Sequence, residues 1–582
     1  MHRSLIPTIA TLFAAGLAAT ASAGTLHVDD FAGGAADGSS WANAFPTLQD
    51  ALSAATAGDE IWVAEGTYYP DQGNGQLDGD RTATFQLASG VAIFGGFDGT
   101  EASLSGRAGK FDTTVLSGDL AQDDGPNGID ENAHHVVTGT GADASALLDG
   151  FTVTVGYADI IPTHDDGAGL LIKGGSPVVR NVTFAENECA DDGAGVTIMG
   201  AGSPVFVHCT FLENVSEDVG GGVWSHGATP TFVNCAFLGN ESGRMGGGIY
   251  QFNSGPAVTR FVGCTFSGNA TVEKGGGMLV SSSVTELVGC TINHNTAELE
   301  TGGLHSFSSA VTVSSSVFWA NEDPSGTAEN VQLGGFAPAS IRYSDVQGWT
   351  GSFGGVGNFG ADPLFMDFDG ANDTPGDADD DLRLAAGSPC LDAGDNLAFP
   401  ADSFDVDGDA DMTETLPLDV YGHARFQDDP NVIDQGNGIG PVADVGAVEG
   451  TAKVGVVTYG NGCAGAGGFT PSLTALGTPT EGGMLALQVD QGLGGSTALL
   501  VFGLGQASVP VGGGCTLNVA PLLAPQMFLP LGGIGPGNGS TVLAGALPVG
   551  TSGVTVTMQV FVHDPSTSTQ FSSSAGLEMN IQ

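Results

Sequence analysis

The sequence predicts an all-β protein whose central part is a right-handed parallel β-helix with an N-terminal helical cap, followed by a small C-terminal β-sandwich. Two repeated phrases predict the coil. An aromatic or aliphatic residue, two further residues and an Asn recur six times at nearly constant spacing. A Gly-rich phrase that ends in an apolar residue follows each of the first four Asn residues. A fixed period of roughly 20 to 50 residues is typical of proteins that stack one structural unit per repeat.

The six Asn residues set the period of the coil. Successive members are separated by 27, 26, 29, 26 and 26 residues. Short strands at this period cannot pair through two-residue hairpin loops, but each can pair in parallel with its copy one repeat later, about 4.8 Å away. We therefore expect a single file of amides that hydrogen-bond to each other along a turn. The file contains Asn187, Asn214, Asn240, Asn269, Asn295 and Asn321.

Equivalent residues of successive repeats should also stack inside the coil. One predicted column contains Cys209, Cys235, Cys264 and Cys290, and a column of Phe residues lies two positions further along. Packed thiols are the simpler interpretation of the first column. Bridges between Cys209 and Cys235, or between Cys264 and Cys290, are the alternative. Gly follows at each corner because the sharp turn needs a positive φ or close packing.

Residues 1–23 have the three parts of a secretory signal peptide. Arg3 is followed by an apolar stretch at 5–19 and by an Ala-x-Ala cleavage site at 21–23. The mature chain would then begin near Gly24, and we expect no transmembrane span in it. These features predict a secreted protein, either extracellular or on the outer cell surface.

The composition is strongly acidic. The formal net charge is -52, from 65 acidic and 13 basic residues. Such a field repels nucleic acid and anionic lipid and attracts divalent cations, so we exclude nucleic-acid partners. Acidity alone is also typical of disordered chains. A hydrophobic content of 41% together with 95 Gly argues instead for folded, turn-rich β structure.

Three parts follow the predicted signal peptide. The coil covers 24–345, with an N-terminal cap at 24–60 and clear repeats at 140–345. In the cap, 48–57 is predicted as an amphipathic helix that plugs the open end, and 59–63 as the first strand. An Asp-rich region follows at 346–452. The last part, 453–582, has few charges and alternating strands between Gly and Pro turns, as in a β-sandwich. Its two cysteines, Cys463 and Cys515, are the expected disulfide.

The repeated phrases resemble two known families. Phe-x-x-Asn with Gly-Gly-(Ala/Gly)-(Ile/Leu/Val) is similar to the repeats of polymorphic outer membrane proteins, within the pectate-lyase-like β-helix superfamily, over roughly 140–345. The phrases at 362–365, 387–389 and 444–449 resemble the choice-of-anchor Q domain, which ends many secreted β-helix proteins. The second resemblance implies a C-terminal cap at 346–452 rather than an active site.

Clusters of carboxylates predict calcium in two places, since oxygen ligands suit Ca²⁺. In the coil, stacked carboxylates before the Gly corner repel one another unless a cation bridges them, and these are Asp191, Asp192 and Asp218. In the Asp-rich region, alternating carboxylates flank Gly turns, without the late Glu that completes an EF-hand. They are Asp367, Asp369, Asp373, Asp377, Asp405, Asp407, Asp409 and Asp411. The alternative at both places is a solvated acidic loop.

We interpret the chain as a non-enzymatic, exported β-helix protein for adhesion or glycan recognition, with Ca²⁺ as a structural ion. Its partners would be glycans or other cell-surface molecules. The sequence identifies neither an oligomeric state nor a catalytic residue. The alternative is a pectate-lyase-like polysaccharide lyase or another carbohydrate-active enzyme. The resemblance implies that such a lyase would use Arg244 or Lys274 as its base. We expect Arg244 to be structural instead, because Asp218 and Glu273 occupy the same offset one turn away on either side.

Overall fold

The computed structural model describes residues 24–581 except for 108–110, 124–127, 254, 336–339, 371, 386, 410, 428–431, 450–455, 460–461, 477–478, 480–483, 513–514, 549–553 and 568–569. The predicted signal peptide at 1–23 lies outside the described residues and stays a prediction. The chain divides into two compact units, Met1–Gly450 and Thr451–Gln582. Among the described residues, no helix combines the length and the apolar character needed to cross a membrane.

Three parallel sheets wind around one core in the first unit. In the first sheet, each strand pairs with its copy one turn later, as Phe206 does with Phe232 and Phe211 with Phe237. Most turns contribute two short strands to this sheet, separated by a bend with a residue of positive φ, such as His208 (φ 50°). The described strands of the first sheet are Thr25–Val28, Glu60–Ala64, Gly66–Tyr68, Ala92–Phe97, Thr114–Ser117, Leu147–Thr154, Val178–Ala185, Val205–Val207, Thr210–Leu212, Thr231–Val233, Ala236–Leu238, Val258–Val262, Thr265–Ser267, Val284–Val288, Thr291–Asn293, Ala310–Ser314, Val317–Trp319, Ser340–Arg342 and Asp345–Val346.

The other two sheets complete each turn. The second sheet follows the Gly corner, and its strands are Phe85–Gln86, Val137–Thr138, Leu170–Lys173, Val196–Met199, Val223–His226, Ile249–Phe252, Met278–Ser281, Leu304–Phe307 and Leu333–Gly335. The third sheet follows the Asn turn, and its strands are Tyr157–Ala158, Glu188–Cys189, Val215–Ser216, Glu241–Ser242, Ala270–Thr271 and Thr296–Ala297. The all-β prediction with a parallel coil is confirmed.

The Asn residues form the predicted file. The Nδ2 of Asn214 donates to Oδ1 of Asn240 at 2.9 Å, and the Nδ2 of Asn240 donates to Oδ1 of Asn269 at 2.8 Å. The same contact links Asn187 to Asn214, Asn269 to Asn295, and Asn295 to Asn321. Each of these Oδ1 atoms also accepts from the backbone N–H of the preceding Asn in the file. The predicted register is therefore confirmed.

The interior columns are also present. Phe211, Phe237 and Phe266 stack with ring centroids 4.5 and 4.3 Å apart, and all three are fully buried. The four Cys residues of the predicted column are buried free thiols, so the coil contains packed thiols and not the alternative bridges. At the corner, Gly220 has a φ of +69°, and a Cβ there would meet backbone atoms of residue 223 at 2.4 Å. The predicted reason for the corner glycines is thus confirmed at this position.

The N-terminal end differs from the prediction in one element. The helix forms over Leu48–Ala54, where the Thr47 side chain caps it by accepting from the Asp50 N–H, and Leu48 and Ala51 are buried in the coil core. The strand Glu60–Ala64 is not the first, because Thr25–Val28 pairs beside it in parallel. The sequence-based assignment of the first strand was wrong, since Thr25–Val28 is short and far from its partner in sequence. Short 3₁₀ turns lie at Trp41–Asn43 and Leu104–Gly106.

The Asp-rich region covers the side of the coil as well as its end. Near its beginning, Trp349 and Phe353 pack against the coil core. Further on, Phe399 and Leu416 pack on a stripe of outward-facing valines of the first sheet. That stripe contains Val207, Val233, Val262 and Val288. Besides the coil strands already given, the regular elements described between Trp319 and Gly450 are the helix Glu329–Gln332, the 3₁₀ turn Asn396–Ala398 and the hairpin of Phe365–Asp367 with Asp381–Leu384.

The second unit is built from antiparallel strands around its own core. Buried residues from two sheets, such as Val489 and Val560, share one apolar cluster, which is the arrangement of a β-sandwich. Cys463 and Cys515 form the predicted disulfide, with Cα atoms 4.9 Å apart. A 3₁₀ turn lies at Ala466–Gly468. The described strands are Val456–Tyr459, Ser472–Leu476, Met484–Gly494, Thr497–Gly503, Gly505–Gly512, Cys515–Ala520, Leu523–Pro530, Gly535–Ala546, Thr555–His563, Phe571–Ser573 and Gly576–Asn580.

Candidate functional site

A column of charged residues runs along the turn between the third and the second sheet. Each backbone N–H donates to the carbonyl of the equivalent residue one turn before: Asp191 to Asp165 at 3.0 Å, Asp218 to Asp191 at 3.1 Å, and Arg244 to Asp218 at 2.8 Å. The Glu273 N–H continues the series by donating to the Arg244 carbonyl at 2.7 Å. The common offset of these residues in the repeats thus places them in one file on the surface, which we call the acidic column.

Arg244 neutralises part of this column. Its Nη1 lies 2.9 Å from the Asp218 carboxylate, and its Nε lies 3.6 Å from that of Glu273. Its side chain is 51% exposed. Lys274, the second basic side chain here, is paired with Glu300. Arg244 and Lys274, the two alternatives for the base of a lyase, are therefore both paired with carboxylates.

Arg244→Ala should lower the free energy of unfolding by no more than about 1 kcal/mol, because exposed ion pairs contribute little. Arg260→Ala is a matched control, since Arg260 pairs with Glu286 across the first sheet at a similar exposure of 46%. We expect the two variants to melt within a degree or two of each other in thermal unfolding. A much larger loss for Arg244 would contradict this weak, exposed role.

Three carboxyl groups at the start of the column lie close together. Asp166, Asp191 and Asp192 each offer an oxygen within 4.8 Å of the others. The Oδ1 of Asp192 is inaccessible to solvent and has no hydrogen-bond partner. Loss of hydration, with the charges of Asp191 and Asp166, raises the pKa of Asp192 to about 8. Loss of hydration likewise raises the pKa of Asp166 to about 6. The group can hold a proton at neutral pH, or a cation in its place.

Asp192→Asn should make the stability of the protein less dependent on pH. The pKa of Asp192 in the folded chain, about 8, lies above its unfolded value of about 3.9. Between these values the folded chain keeps a proton that the unfolded chain has released, so Asp192 destabilises the fold increasingly as pH rises. After allowance for solvent screening, the wild type should lose about 2 kcal/mol more than the variant between pH 5 and pH 8.

Urea unfolding of the wild type and Asp192→Asn at several pH values, with chelator present, measures this difference. Glu241→Gln, at an exposed position of the third sheet, should leave the pH dependence unchanged. Parallel curves for the wild type and Asp192→Asn would contradict the raised pKa.

Beside the column, four aromatic rings form a block on the outer face of the second sheet. Trp224 pairs with Tyr250, and His226 pairs with Phe252, as neighbours on adjacent strands. The Trp224 and His226 rings lie 5.4 Å apart, and those of His226 and Phe252 lie 4.9 Å apart. His226 is exposed and the other three are partly exposed. We call these four residues the aromatic block.

The aromatic block adjoins the acidic column. Burial raises the pKa of Tyr250, which hydrogen-bonds Ser281 and lies within the field of Asp192 and Arg244. A Cβ on Gly193 would lie 2.8 Å from that of Trp224, so this glycine lets the acidic turn approach the ring. Together the two features present aromatic faces, carboxyl groups and one guanidinium on a single surface.

The Asp-rich region brings only some of the predicted ligands together. The Asp367 and Asp369 carboxyl groups hydrogen-bond each other, and Asp373 acts on Asp367 through its charge. Asp377 groups with Asp379 and Asp380 instead. Asp379 and Asp380 lie in the same run of Asp residues as the predicted ligand Asp377.

The second predicted group of ligands in the Asp-rich region lies at 405–411. Asp405, Asp407 and Asp409 form one group of carboxylates. Asp411 does not belong to it, because its Oδ1 accepts from both the N–H and the hydroxyl of Thr413.

A second group shares Asp407 with the first. It contains Asp402, Asp407 and Glu414, two of which the sequence-based prediction missed. Asp402 and Glu414 lie on either side of the predicted ligands at 405–411. Their equal distance along the sequence from the centre of that segment was the only indication that they belong to the same group.

A comparison with protein-family models agrees with this architecture. Residues 146–296 match the family model of the right-handed β-helix region. The coil is a right-handed β-helix. A solved structure similar to this β-helix protein is the crystal structure of pectate lyase Pel9A, at 15% sequence identity and a TM-score of 0.36, over 74% of this chain and 96% of that chain. A search of curated proteins found no match. The narrower resemblances to polymorphic outer membrane proteins and to the choice-of-anchor Q domain stay predictions.

Proposed function

We propose that this chain is an exported β-helix protein that recognises glycans at cell surfaces, and that calcium stabilises its structure. One observation carries the proposal: the aromatic block, on the outer face of the second sheet, adjoins the acidic column. The C–H faces of sugar rings pack on the electron-rich faces of aromatic rings. Carboxylates and a guanidinium beside them can fix the orientation of sugar hydroxyls by charge-assisted hydrogen bonds. Exposed apolar patches with a polar rim are typical of recognition surfaces.

Charge narrows the class of glycan. The chain has a formal net charge of -52, and the recognition surface itself contains Asp191, Asp192 and Asp218. An anionic surface repels polyuronates and sulfated polymers. We therefore expect neutral or amino sugars to bind better than acidic ones.

A polysaccharide lyase is the alternative. Its elimination requires a base that accepts the proton next to the uronate carboxylate while the glycosidic oxygen leaves. Arg244 is held between Asp218 and Glu273, and Lys274 is paired with Glu300, which disfavours either as that base. One observation favours testing for a carbohydrate-active enzyme. The raised pKa of Asp192 keeps its carboxyl group protonated at neutral pH, and a protonated carboxyl group can act as a general acid.

One preparation can decide between the two functions. A glycan array tests binding, and a panel of polyuronates tests for 4,5-unsaturated ends, which absorb in the ultraviolet. We expect binding to neutral or amino glycans without ultraviolet-absorbing products. An absorbance increase that Arg244→Ala abolishes, at an unchanged melting temperature, would favour the lyase.

A further inference from the structure

The loop at 403–413 of the Asp-rich region is closed by a short antiparallel pairing. The Asp402 N–H donates to the Glu414 carbonyl at 2.8 Å, and the Leu416 N–H donates to the Pro400 carbonyl at 3.0 Å. Ala401 and Thr415 pair as an isolated antiparallel bridge between these bonds. This pairing brings Asp402 and Glu414, which are twelve positions apart in the sequence, to the same end of the loop.

Three carboxyl groups meet inside this closed loop. Asp402, Asp407 and Glu414 each place an oxygen within 4.8 Å of the others. Asp402 is only 1% exposed, and its Oδ2 accepts from the Val406 N–H at 2.8 Å. Its Oδ1 has no hydrogen-bond partner, and neither has Oε1 of Glu414, although both atoms are inaccessible to solvent. A buried polar oxygen without a donor is unfavourable, so these two atoms call for a ligand.

The electrostatics of the loop favour a cation. The carboxylates of Asp407 and Asp405 act on Asp402 through their charges, and those of Asp409 and Asp407 act on Glu414. Among the ion pairs of the described residues, no Lys, Arg or His pairs with Asp402, Asp407 or Glu414. A divalent ion would remove the repulsion that the protein itself leaves uncompensated.

We propose that this loop binds one Ca²⁺ ion through the carboxylates of Asp402, Asp407 and Glu414. The overlapping group of Asp405, Asp407 and Asp409 supplies further oxygens at the outer side of the same loop. All of these ligands are hard oxygens without His or Cys, which disfavours zinc, and an irregular carboxylate loop suits the flexible coordination of Ca²⁺ better than the strict octahedron of Mg²⁺. The inference deepens the calcium part of the proposed function and is independent of its glycan part.

Binding at this loop would also fix the Asp-rich region to the β-helix. Phe404 and Val406, inside the loop, pack with the apolar stripe that includes Val207 and Val233. The Phe404 carbonyl accepts a hydrogen bond from the Arg180 guanidinium of the coil. An ion that orders the loop therefore orders the residues that dock on the coil. Calcium removal should release this segment before the coil itself unfolds.

Calcium titration of the full-length protein by calorimetry at low salt tests the site. We expect Asp402→Asn and Glu414→Gln each to lose one bound Ca²⁺ or to bind it at least about 10-fold more weakly, because each removes one ligand charge. Asp362→Asn, an equal charge change at an exposed Asp of the same region outside this loop, is the matched control and should bind as the wild type does. Proteolysis with and without chelator should show calcium-dependent protection near Phe404 in the wild type and in the control, but not in Asp402→Asn.

The results of these experiments distinguish the calcium site at Asp402 and Glu414 from the proposed function as a whole. Loss of one ion in both Asp402→Asn and Glu414→Gln, with the control unchanged, supports the assignment. If both variants bind as the wild type does and Asp377→Asn loses the ion, the assignment is overturned but the calcium part of the proposed function stands. If the wild type binds no Ca²⁺, both fail. Glycan binding measured in chelator reports on the remaining part of the proposed function alone.

Discussion

Asn240→Ala should lower the free energy of unfolding by about 3–5 kcal/mol, because it leaves several buried polar groups without partners. Asn240 is fully buried. Its Nδ2 donates to the Phe211 carbonyl and to Oδ1 of Asn269, both at 2.8 Å. Its Oδ1 accepts from the N–H and the Nδ2 of Asn214, at 3.1 and 2.9 Å. The substitution removes all four contacts and interrupts the file of amides at its middle.

Chemical unfolding followed by circular dichroism measures this loss. Glu241→Ala, at the next position, is the matched control, because Glu241 is exposed and its strand pairing uses only the backbone. The control should change the stability by no more than about 0.5 kcal/mol. A loss below about 1 kcal/mol for Asn240→Ala would show that the file of amides contributes little.

The repeats made most of the coil predictable. Short alternating strands at a near-constant period can pair only in parallel, each with its copy one turn later. This pairing determines both the register of the strands and the columns of inward-facing side chains. Asn214 and Asn240 therefore lie where their spacing predicted, and so do Phe211 and Phe237. Elements outside the repeats were harder to predict. Thr25–Val28 pairs with Glu60–Ala64 across more than thirty residues, and no local pattern marks such a contact.

The docking of the Asp-rich region on the side of the coil also depends on contacts between distant residues. The sequence contains one signal for this docking. Val207, Val233 and Val262 are apolar although they lie at an outward-facing position of the coil, and a repeated apolar residue on an outer face indicates that something covers it.

The candidate site was predictable in its charges and not in its aromatic rings. The offset before the Gly corner placed Asp191, Asp218 and Arg244 in one column. Trp224 and Tyr250 occupy equivalent positions directly after the Gly-rich phrase, where the alternation of a strand predicts an outward-facing side chain. Only these two repeats have an aromatic residue at that position, so the repeats did not indicate the aromatic block. The loop ligands Asp402 and Glu414 were missed for another reason, since an antiparallel bridge and not a sequence motif brings them together.

Trp224→Ala and Tyr250→Ala should each weaken glycan binding by at least about 30-fold, which corresponds to roughly 2 kcal/mol for an aromatic group at the centre of a recognition surface. Both side chains point away from the core, so neither substitution should change the fold. Phe307→Ala is the matched control, because Phe307 is 55% exposed on the same sheet, two strands beyond Tyr250. It should bind glycan as the wild type does.

The most direct test of glycan recognition by the aromatic block is a titration of the wild type, Trp224→Ala and Phe307→Ala with the best neutral or amino glycan from the array. The account predicts binding by the wild type and by Phe307→Ala, and at least about 30-fold weaker binding by Trp224→Ala at an unchanged melting temperature. Equal affinity in all three proteins, or binding by none of them, would contradict it.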